Sequence, residues 1–271
     1  MIYQTFVPQD QLNGLVKCYW TMESSADEHL EKQSIVPDGC MEMIFHYGEP
    51  YRQYMRNGTS VVQPRCFVIG QLTFPLEIEP TGITGIFSVR FQPNGFLPFN
   101  STIPIKEMEN RAVPLEELFG QDGQDLKNKI CNAQSVQERI KLVEIFLVDR
   151  SNRSDVSDHI VRSAVETILT TNGRSIISEL IVKTEISKRQ LERKFHLELG
   201  LGPKQLSKII RLQTTVKMLL TEEFTSLTTL ALENGYYDQS HFIKDFKEFV
   251  GVTPKEFYME NLKMSTFFIR D

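Results

Sequence analysis

The sequence predicts an α+β protein of two domains. Its N-terminal part reads as β-rich, a barrel or double-sheet sandwich, and its C-terminal part as all-α. Three observations carry that expectation. Over roughly the first hundred residues, short runs of β-branched and aromatic residues alternate with turn formers. Beyond them the apolar spacing lengthens from two residues to between three and four. Finally, one pattern is written twice: Leu191, Phe195, Gly200, Pro203 and Lys204 return as Phe242, Phe246, Gly251, Pro254 and Lys255, each pair 51 positions apart. Fixed spacing of this kind marks one supersecondary unit used twice.

The predicted strands cover residues 15–23, 35–37, 40–47, 66–69, 74–79 and 83–91. Pro37-Asp38-Gly39, Asn57-Gly58 and Pro80-Thr81-Gly82 separate them as turns. Asn57-Gly58 is a hairpin signal, read as a type I′ turn in which both central residues take positive φ. Several short strands at this spacing favour closure into a barrel or pairing of two sheets.

Helical spacing begins with Leu115, Leu118 and Phe119, a short helix ending near Gly120. Ser135-Val-Gln-Glu138 is a capping-box pattern, and Ile140, Val143, Ile145, Phe146 and Leu147 follow on one broad side. The stretch from Arg150 to Asp158 has little to bury and reads as a linker. The expected division is therefore 1–110, 111–158 and 159–264. In the last segment Ile160, Val161, Ala164, Val165, Ile168 and Leu169 form a helical stripe closed by Asn172-Gly173. Further helices are expected over residues 176–183, 188–199, 203–220, 227–233, 239–249 and 254–262. Pro203 and Pro254 stand where proline is tolerated, in a first turn.

Composition places the chain among ordinary globular proteins: 271 residues, 41% hydrophobic and 24% charged. No apolar run approaches the roughly 18 residues that span a bilayer. The start has neither a basic nor an apolar leader pattern, so a cytoplasmic location without membrane association is expected. Cys18, Cys40, Cys66 and Cys131 are scattered and read as reduced, mostly buried thiols rather than a zinc site or disulfide framework. Net charge is −5, yet residues 172–263 hold 14 Lys and Arg against 12 Asp and Glu. A mildly basic module on an acidic one fits a locally positive binding face, and does not fit a nonspecific coat on nucleic acid.

The repeated unit reads as helix, turn, helix. In the second copy, Ala231 allows a close crossing, Gly235 supplies the turn, and Asp238 caps a helix bearing Gln239, Ser240, His241 and Lys244. Phe242, Phe246 and Phe249 form its buried stripe. In the first copy, Ser187 and Gln190 make a capping box, Leu191 and Phe195 face inward, and Lys188, Arg189, Glu192, Arg193 and Lys194 face outward. Such side chains suit a major groove. Arg pairs with guanine and Gln with adenine, at about 1–3 kcal/mol of discrimination per good pair. Lys204 and Lys255, at helix N-termini, suit phosphates. The candidate DNA-binding set is thus Ser187, Lys188, Arg189, Gln190, Glu192, Arg193, Lys194, Lys204, Gln239, Ser240, His241, Lys244 and Lys255. Arg211 suits a structural salt bridge and a DNA contact equally, and Glu192 either accepts from cytosine or orients Arg189 or Arg193.

These residues resemble the AraC/XylS family of transcription regulators. The resemblance runs from residue 160 to 262 and is strongest from Leu230 through Lys247, followed by Gly251-Val-Thr-Pro-Lys255; Leu199-Gly-Leu-Gly-Pro203 and Arg211-Leu212 match as well. It implies two recognition helices in successive major grooves of double-stranded DNA. It also implies base contacts from Arg189, Glu192 and Arg193, and from Gln239, Ser240 and Lys244. One departure stands out: Ile181 and Glu185 occupy the first unit's Ala and Gly positions. A left-handed Glu costs about 1–2 kcal/mol, so a reshaped first turn is expected. Tyr19-Trp20, Val36-Pro-Asp-Gly39, Met43-Ile-Phe45, Gly70-Gln71 and Arg90-Phe-Gln-Pro-Asn-Gly95 resemble the cupin-like, jelly-roll domain that precedes this module in many regulators. That likeness implies sensing of a small molecule or homodimerisation. Trp20, Phe45, Phe87 and Phe91 read as core, and Arg90 as a structural ion pair ahead of an anion site.

No catalytic constellation is present. His29 and His46 are the only histidines before residue 150, too few for a metal-dependent cupin, and no nucleophile elbow or phosphate loop occurs. No cofactor, metal or catalytic residue is expected. The expected function is sequence-specific DNA binding by a transcription regulator. A helical adaptor that has lost DNA binding, and a cupin enzyme fused to the module, are the alternatives.

Overall fold

A computed structural model describes residues 1–25, 31–100, 103–152, 158–174, 177–221 and 224–260. The chain starts with ten strands: β1 (Ile2–Phe6), β2 (Val16–Glu23), β3 (Gln33–Ile35), β4 (Glu42–His46), β5 (Tyr51–Tyr54), β6 (Ser60–Val62), β7 (Cys66–Ile69), β8 (Leu76–Pro80), β9 (Gly85–Phe91) and β10 (Ala112–Pro114). Three helices follow, α1 (Leu115–Phe119), α2 (Gln121–Asn132) and α3 (Val136–Ser151). The helical half comprises α4 (His159–Thr170), α5 (Ile177–Thr184), α6 (Lys188–Leu199), α7 (Pro203–Leu220), α8 (Leu227–Glu233), α9 (Gln239–Val250) and α10 (Pro254–Glu260).

The strands form a six-stranded sheet, β1-β2-β9-β4-β7-β10, and a four-stranded sheet, β3-β8-β5-β6. Every pairing is antiparallel, with Phe45 opposite Phe87 and Glu42 opposite Arg90. The larger sheet is covered on both faces, which a two-layer sandwich would not require. Because side chains alternate along a strand, Met43 and Phe45 of β4 point to one face and Glu42, Ile44 and His46 to the other. On the first face Tyr19, Phe45, Val68, Phe87 and Phe91 share a core with Leu118, Leu126, Ile130, Val143 and Leu147 of α1–α3. On the second face Trp20, Met22 and Ile86 meet Tyr51 and Ile78 of the smaller sheet. Double coverage explains why all seven residues of β9 are buried.

The short strands β1, β5, β6 and β10, and helix α2, are absent from the sequence-based expectation. α2 has only Leu126 and Ile130 as large buried residues and contains Gly123, which weakens its helical signal. Packing demands that glycine, since a Cβ there would lie 2.2 Å from the Leu115 carbonyl oxygen. Asn57-Gly58 does join β5 and β6, but not through a type I′ turn. Only Gly58 takes positive φ (82°). Its N–H bonds the Met55 carbonyl oxygen, and Asn57 Oδ1 accepts from Thr59 N–H. A type I turn closed by a left-handed glycine is the next commonest hairpin solution.

The four thiols are free, and the scattered spacing hides one spatial pair. Cys66 on β7 and Cys131 on α2 bring their sulfurs to 3.5 Å. The Cys66 S–H and the nearby Arg65, Lys127 and Arg139 pull the Cys131 thiol down to about 7, while Cys66 is pushed up. Among the described residues no cluster of His, Cys, Asp and Glu is arranged to hold a metal, and no helix is long and apolar enough to cross a membrane.

The helical half has its own core, centred on α7. Leu206, Ile209, Leu212, Val216 and Leu219 pack there with Val161, Ile168, Leu191, Phe195, Leu230, Phe242, Phe246 and Phe257. α7 has 18 residues, so its axis is about 27 Å long. The two halves touch at a defined patch. Val36 joins the helical core, Gln213 Nε2 donates to the Pro37 carbonyl oxygen at 2.6 Å, and Gly39 abuts Leu206, Ile209 and Ile210. Of the expected linker, residues 153–157 lie outside the described residues, as do 261–264 at the module's end.

Candidate nucleic-acid interface

Helices α6 and α9 are built alike. Ser187 caps α6 by accepting from Gln190 N–H, and Asp238 caps α9 by accepting from His241 N–H. These caps also stand 51 positions apart, and each such cap contributes about 1 kcal/mol. Both helices stop at a left-handed glycine, Gly200 (φ 74°) and Gly251 (φ 90°). Leu191 and Phe195 on α6, and Phe242 and Phe246 on α9, are fully buried. With one side pinned to a common core, the opposite side of each helix faces solvent.

On α6, Ser187, Lys188, Arg189, Gln190, Glu192 and Arg193 are exposed. Arg189 and Arg193 are one helical turn apart and share a face. The Gln190 side chain is turned back on its own cap, accepting from Ser187 N–H at 3.0 Å and from Ser187 Oγ at 2.9 Å. These two polar groups are thus committed to holding the helix start. Lys188 Nζ lies 3.9 Å from Glu192 Oε1. Lys194 departs from the outward reading. It is half-buried and ion-pairs with Asp158, the cap of α4, because its position on the helix turns it toward α4 rather than to the open side. Burial opposes ionisation of Asp158, but Lys194 and the Ile160 N–H outweigh it and hold the carboxyl below its usual range. Glu198 beside them is pushed up to about 7, by burial first and the Asp158 charge second.

On α9, Ser240 and Lys244 are exposed, while Gln239 and His241 are partly covered. Gln239 Oε1 accepts from the Thr228 hydroxyl at 2.9 Å, which ties the first residue of α9 to α8. His241 Nε2 lies 3.5 Å from Asp245, and its ring meets Tyr236 edge-on. Lys204 and Lys255 are exposed in the first turns of α7 and α10.

Two further basic residues of α7, Lys208 and Arg211, turn inward. Asp245 is 3% exposed and receives Lys208 at 2.9 Å and Arg211 at 3.6 Å. Arg211 also donates to the Gly235 carbonyl oxygen and covers the Tyr236 ring at 4.4 Å. Arg211 is therefore structural: it ties α7 to the turn before α9.

The first turn is not reshaped at its key residue. Glu185 takes φ +55°, the left-handed conformation that Gly235 (φ 75°) takes in the second unit. Its N–H bonds the Ile181 carbonyl oxygen at 3.0 Å, and Ile181 packs half-buried against the helical core. The fold imposes the geometry and tolerates the wrong residue. The sequence reading also missed Tyr237, which is 88% exposed immediately before the α9 cap. Its signal was the Tyr236-Tyr237 pair, of which only Tyr236 is buried.

Residues 180–259 match the helix-turn-helix domain family, and residues 4–114 match a domain of unknown function, DUF6597. The HTH-type transcriptional regulator MtrA of Neisseria gonorrhoeae is 32% identical over 84 residues, covering 31% of this chain and 28% of MtrA. The chain thus matches about a quarter of that relative's length. Among solved structures, ToxT from Vibrio cholerae aligns at 12% identity and TM-score 0.48, over 96% of this chain and 98% of ToxT. ToxT bound to an unsaturated fatty acid aligns at 10% identity and TM-score 0.45, over 85% and 94%. The helical half carries an AraC-type helix-turn-helix domain, similar in sequence to part of MtrA.

Proposed function

We propose that the protein is a sequence-specific DNA-binding transcription regulator, with α6 and α9 entering two successive major grooves. One observation carries the reading: two helices with equivalent caps and equivalent buried stripes are displayed from a single core, with Arg189, Arg193, Ser240 and Lys244 exposed. An α7 axis of about 27 Å suits two helices spaced about 34 Å apart, one turn of DNA. Arg189, Glu192, Arg193, Gln239, Ser240 and Lys244 read base edges. Lys188, His241, Lys204 and Lys255 meet the backbone. Ser187 and Gln190 serve by fixing the start of α6, and Lys194 by anchoring it to α4. Residues 1–110 act as a sensor or homodimerisation domain and 111–158 join it to the DNA-binding part, 159–264. The site of action is the cytoplasm, and the protein catalyses no reaction. The left-handed Glu185 removes the structural motive for an adaptor that has lost DNA binding.

Selection from a random double-stranded DNA pool tests this. The expected result is an enriched site with two conserved blocks about one helical turn apart. Absence of enrichment at every salt concentration sinks the proposal. On the selected site, Arg193→Ala should cost about 1–3 kcal/mol and relax preference at one position. Lys204→Ala should weaken all sequences alike and lower the slope of log affinity against log salt by about one.

A further inference from the structure

The space between the two sheets is unlike the rest of the interior. It is a cavity of about 70 Å³, walled largely by apolar side chains such as Trp20, Ile44, Phe67 and Ile78. Into this lining the fold places His46, Tyr51 and Gln33, exposed by only 1%, 0% and 7%. Gln33 Oε1 has no hydrogen-bond partner among the described residues, and the His46 ring nitrogens and Tyr51 Oη make no hydrogen bond of good geometry, although Gln63 stands near His46 and Thr84 near Tyr51. Buried polar atoms are normally satisfied, so several orphans around one cavity are donors and acceptors set for an occupant.

The charges around the cavity select the occupant. The charged side chains lining it are Asp38 and Glu42, and no Lys or Arg lines it among the described residues. Glu42 Oε2 accepts from Trp20 Nε1 at 3.0 Å and from Ser88 Oγ at 2.9 Å, and burial still pushes the carboxyl up to about 7. The cations acting on these acids stand beside them, outside the lining, with Arg90 directly across from Glu42 on the same face of the larger sheet. Arg90 pairs with Asp38 and lies 3.7 Å from Glu42, and Lys17 contributes charge. Both line the separate cleft between the two halves of the molecule. An anion entering the cavity meets two carboxylates, whereas a cation meets a carboxylate and the faces of Trp20, Tyr51 and Phe67.

We propose that this cavity binds a small apolar cation, an aromatic or short-chain ammonium, with its nitrogen at Glu42 and its body against Trp20, Tyr51 and Phe67. The wall that would report its presence is residues 36–40. Val36, Asp38 and Cys40 line the cavity, while Val36, Pro37 and Gly39 seat α7 through the helical core, Gln213 and Leu206. A ligand that shifts this wall shifts the rod between the two recognition helices. The effector role rests on the DNA-binding reading above; the binding site does not.

The test uses the full chain without DNA and three probes sharing one ring: benzylamine, benzyl alcohol and benzoate, at pH 7. Calorimetric titration and thermal shift should show benzylamine binding at least tenfold more tightly than benzoate. Glu42→Gln should abolish the preference for benzylamine over benzyl alcohol, and Ile78→Trp, which fills the cavity, should abolish binding of all three. Should Glu42→Gln not fold, the charge series on the wild type and Ile78→Trp decide. The site is overturned by benzoate binding as tightly as benzylamine, by no probe binding, or by Ile78→Trp binding unchanged. Benzylamine that binds yet leaves affinity for a selected DNA site unchanged overturns the effector role alone. Failure of DNA selection leaves the titration result standing, so the two readings fail separately.

Discussion

Glu185 holds a conformation that costs an L-residue about 1–2 kcal/mol, in a turn whose counterpart uses Gly235. Glu185→Gly relieves that strain while adding freedom to the unfolded chain. The expected net gain is about 0.5–1 kcal/mol, measured by urea denaturation; Gly235→Ala, at φ 75° with Arg174 Cγ 3.2 Å away, should lose stability in the same assay. His46 carries a different cost. Burial against Tyr51 and Phe67 lowers its pKa from 6.5 to about 4, so the folded protein keeps the ring neutral. Below pH 6.5 the unfolded chain takes up a proton that the folded chain refuses, and stability is lost as pH falls from 6.5 toward 4. Between pH 7 and pH 5, His46→Phe should therefore gain about 2 kcal/mol on the wild type. A constant difference across that range would show that the ring is not held neutral. Cys131, half-buried and pulled down to about 7, should react with iodoacetamide at neutral pH well before the buried Cys18, Cys40 and Cys66, as peptide mapping would reveal.

At the scale of elements, one buried carboxylate joins α7 to α9. Asp245 meets Lys208, Arg211 and His241, so Asp245→Ala leaves cations without their counter-charge in a largely buried site. Breaking such a cluster costs about 3–5 kcal/mol. Urea denaturation should show a loss of that order, against a fraction of it for the exposed Glu248→Ala. Asp245 also shows where the sequence was legible and where it was not. The helices, caps and stripes of the repeat follow from local rules, and Ser187, Asp238, Gly200 and Gly251 behave as their types demand. Asp245 looks like any charged residue on an amphipathic helix, and only α7 packing over it buries it. Lys194 was misread for the same reason, since its partner Asp158 belongs to α4. In the β half, Glu42, His46, Ser88 and Arg90 alternate with apolar residues and mimic a solvated face. The second sheet, whose strands β5 and β6 carry few periodic signals, covers that face, buries His46, Ser88 and Arg90 and makes Glu42 and His46 part of a cavity lining.

At the scale of the whole molecule, two cores meet through a few residues. Val36, Pro37 and Gly39 on one side receive Leu206, Ile209, Ile210 and Gln213 of α7 on the other, and Ile105 approaches Gly200 at the end of α6. Small interfaces between domains leave relative motion as the default, so this patch decides whether the halves behave as one body. Gly39 is its most sensitive position. It takes φ 79°, and a Cβ there would stand 2.9 Å from Leu206 Cδ1. Gly39→Val should pry the seat open by pressing on Leu206 where the helical core meets the β half, and Gln213→Ala should loosen it more mildly from the helical side while leaving the β half intact. Calorimetry is expected to show a single coupled transition for the wild type and two for Gly39→Val, with small-angle scattering giving a larger radius of gyration. Gln213→Ala should fall between them. One transition at an unchanged midpoint in both variants would mean that α7 draws its position from the helical core alone, and the wall at residues 36–40 would then have nothing to transmit.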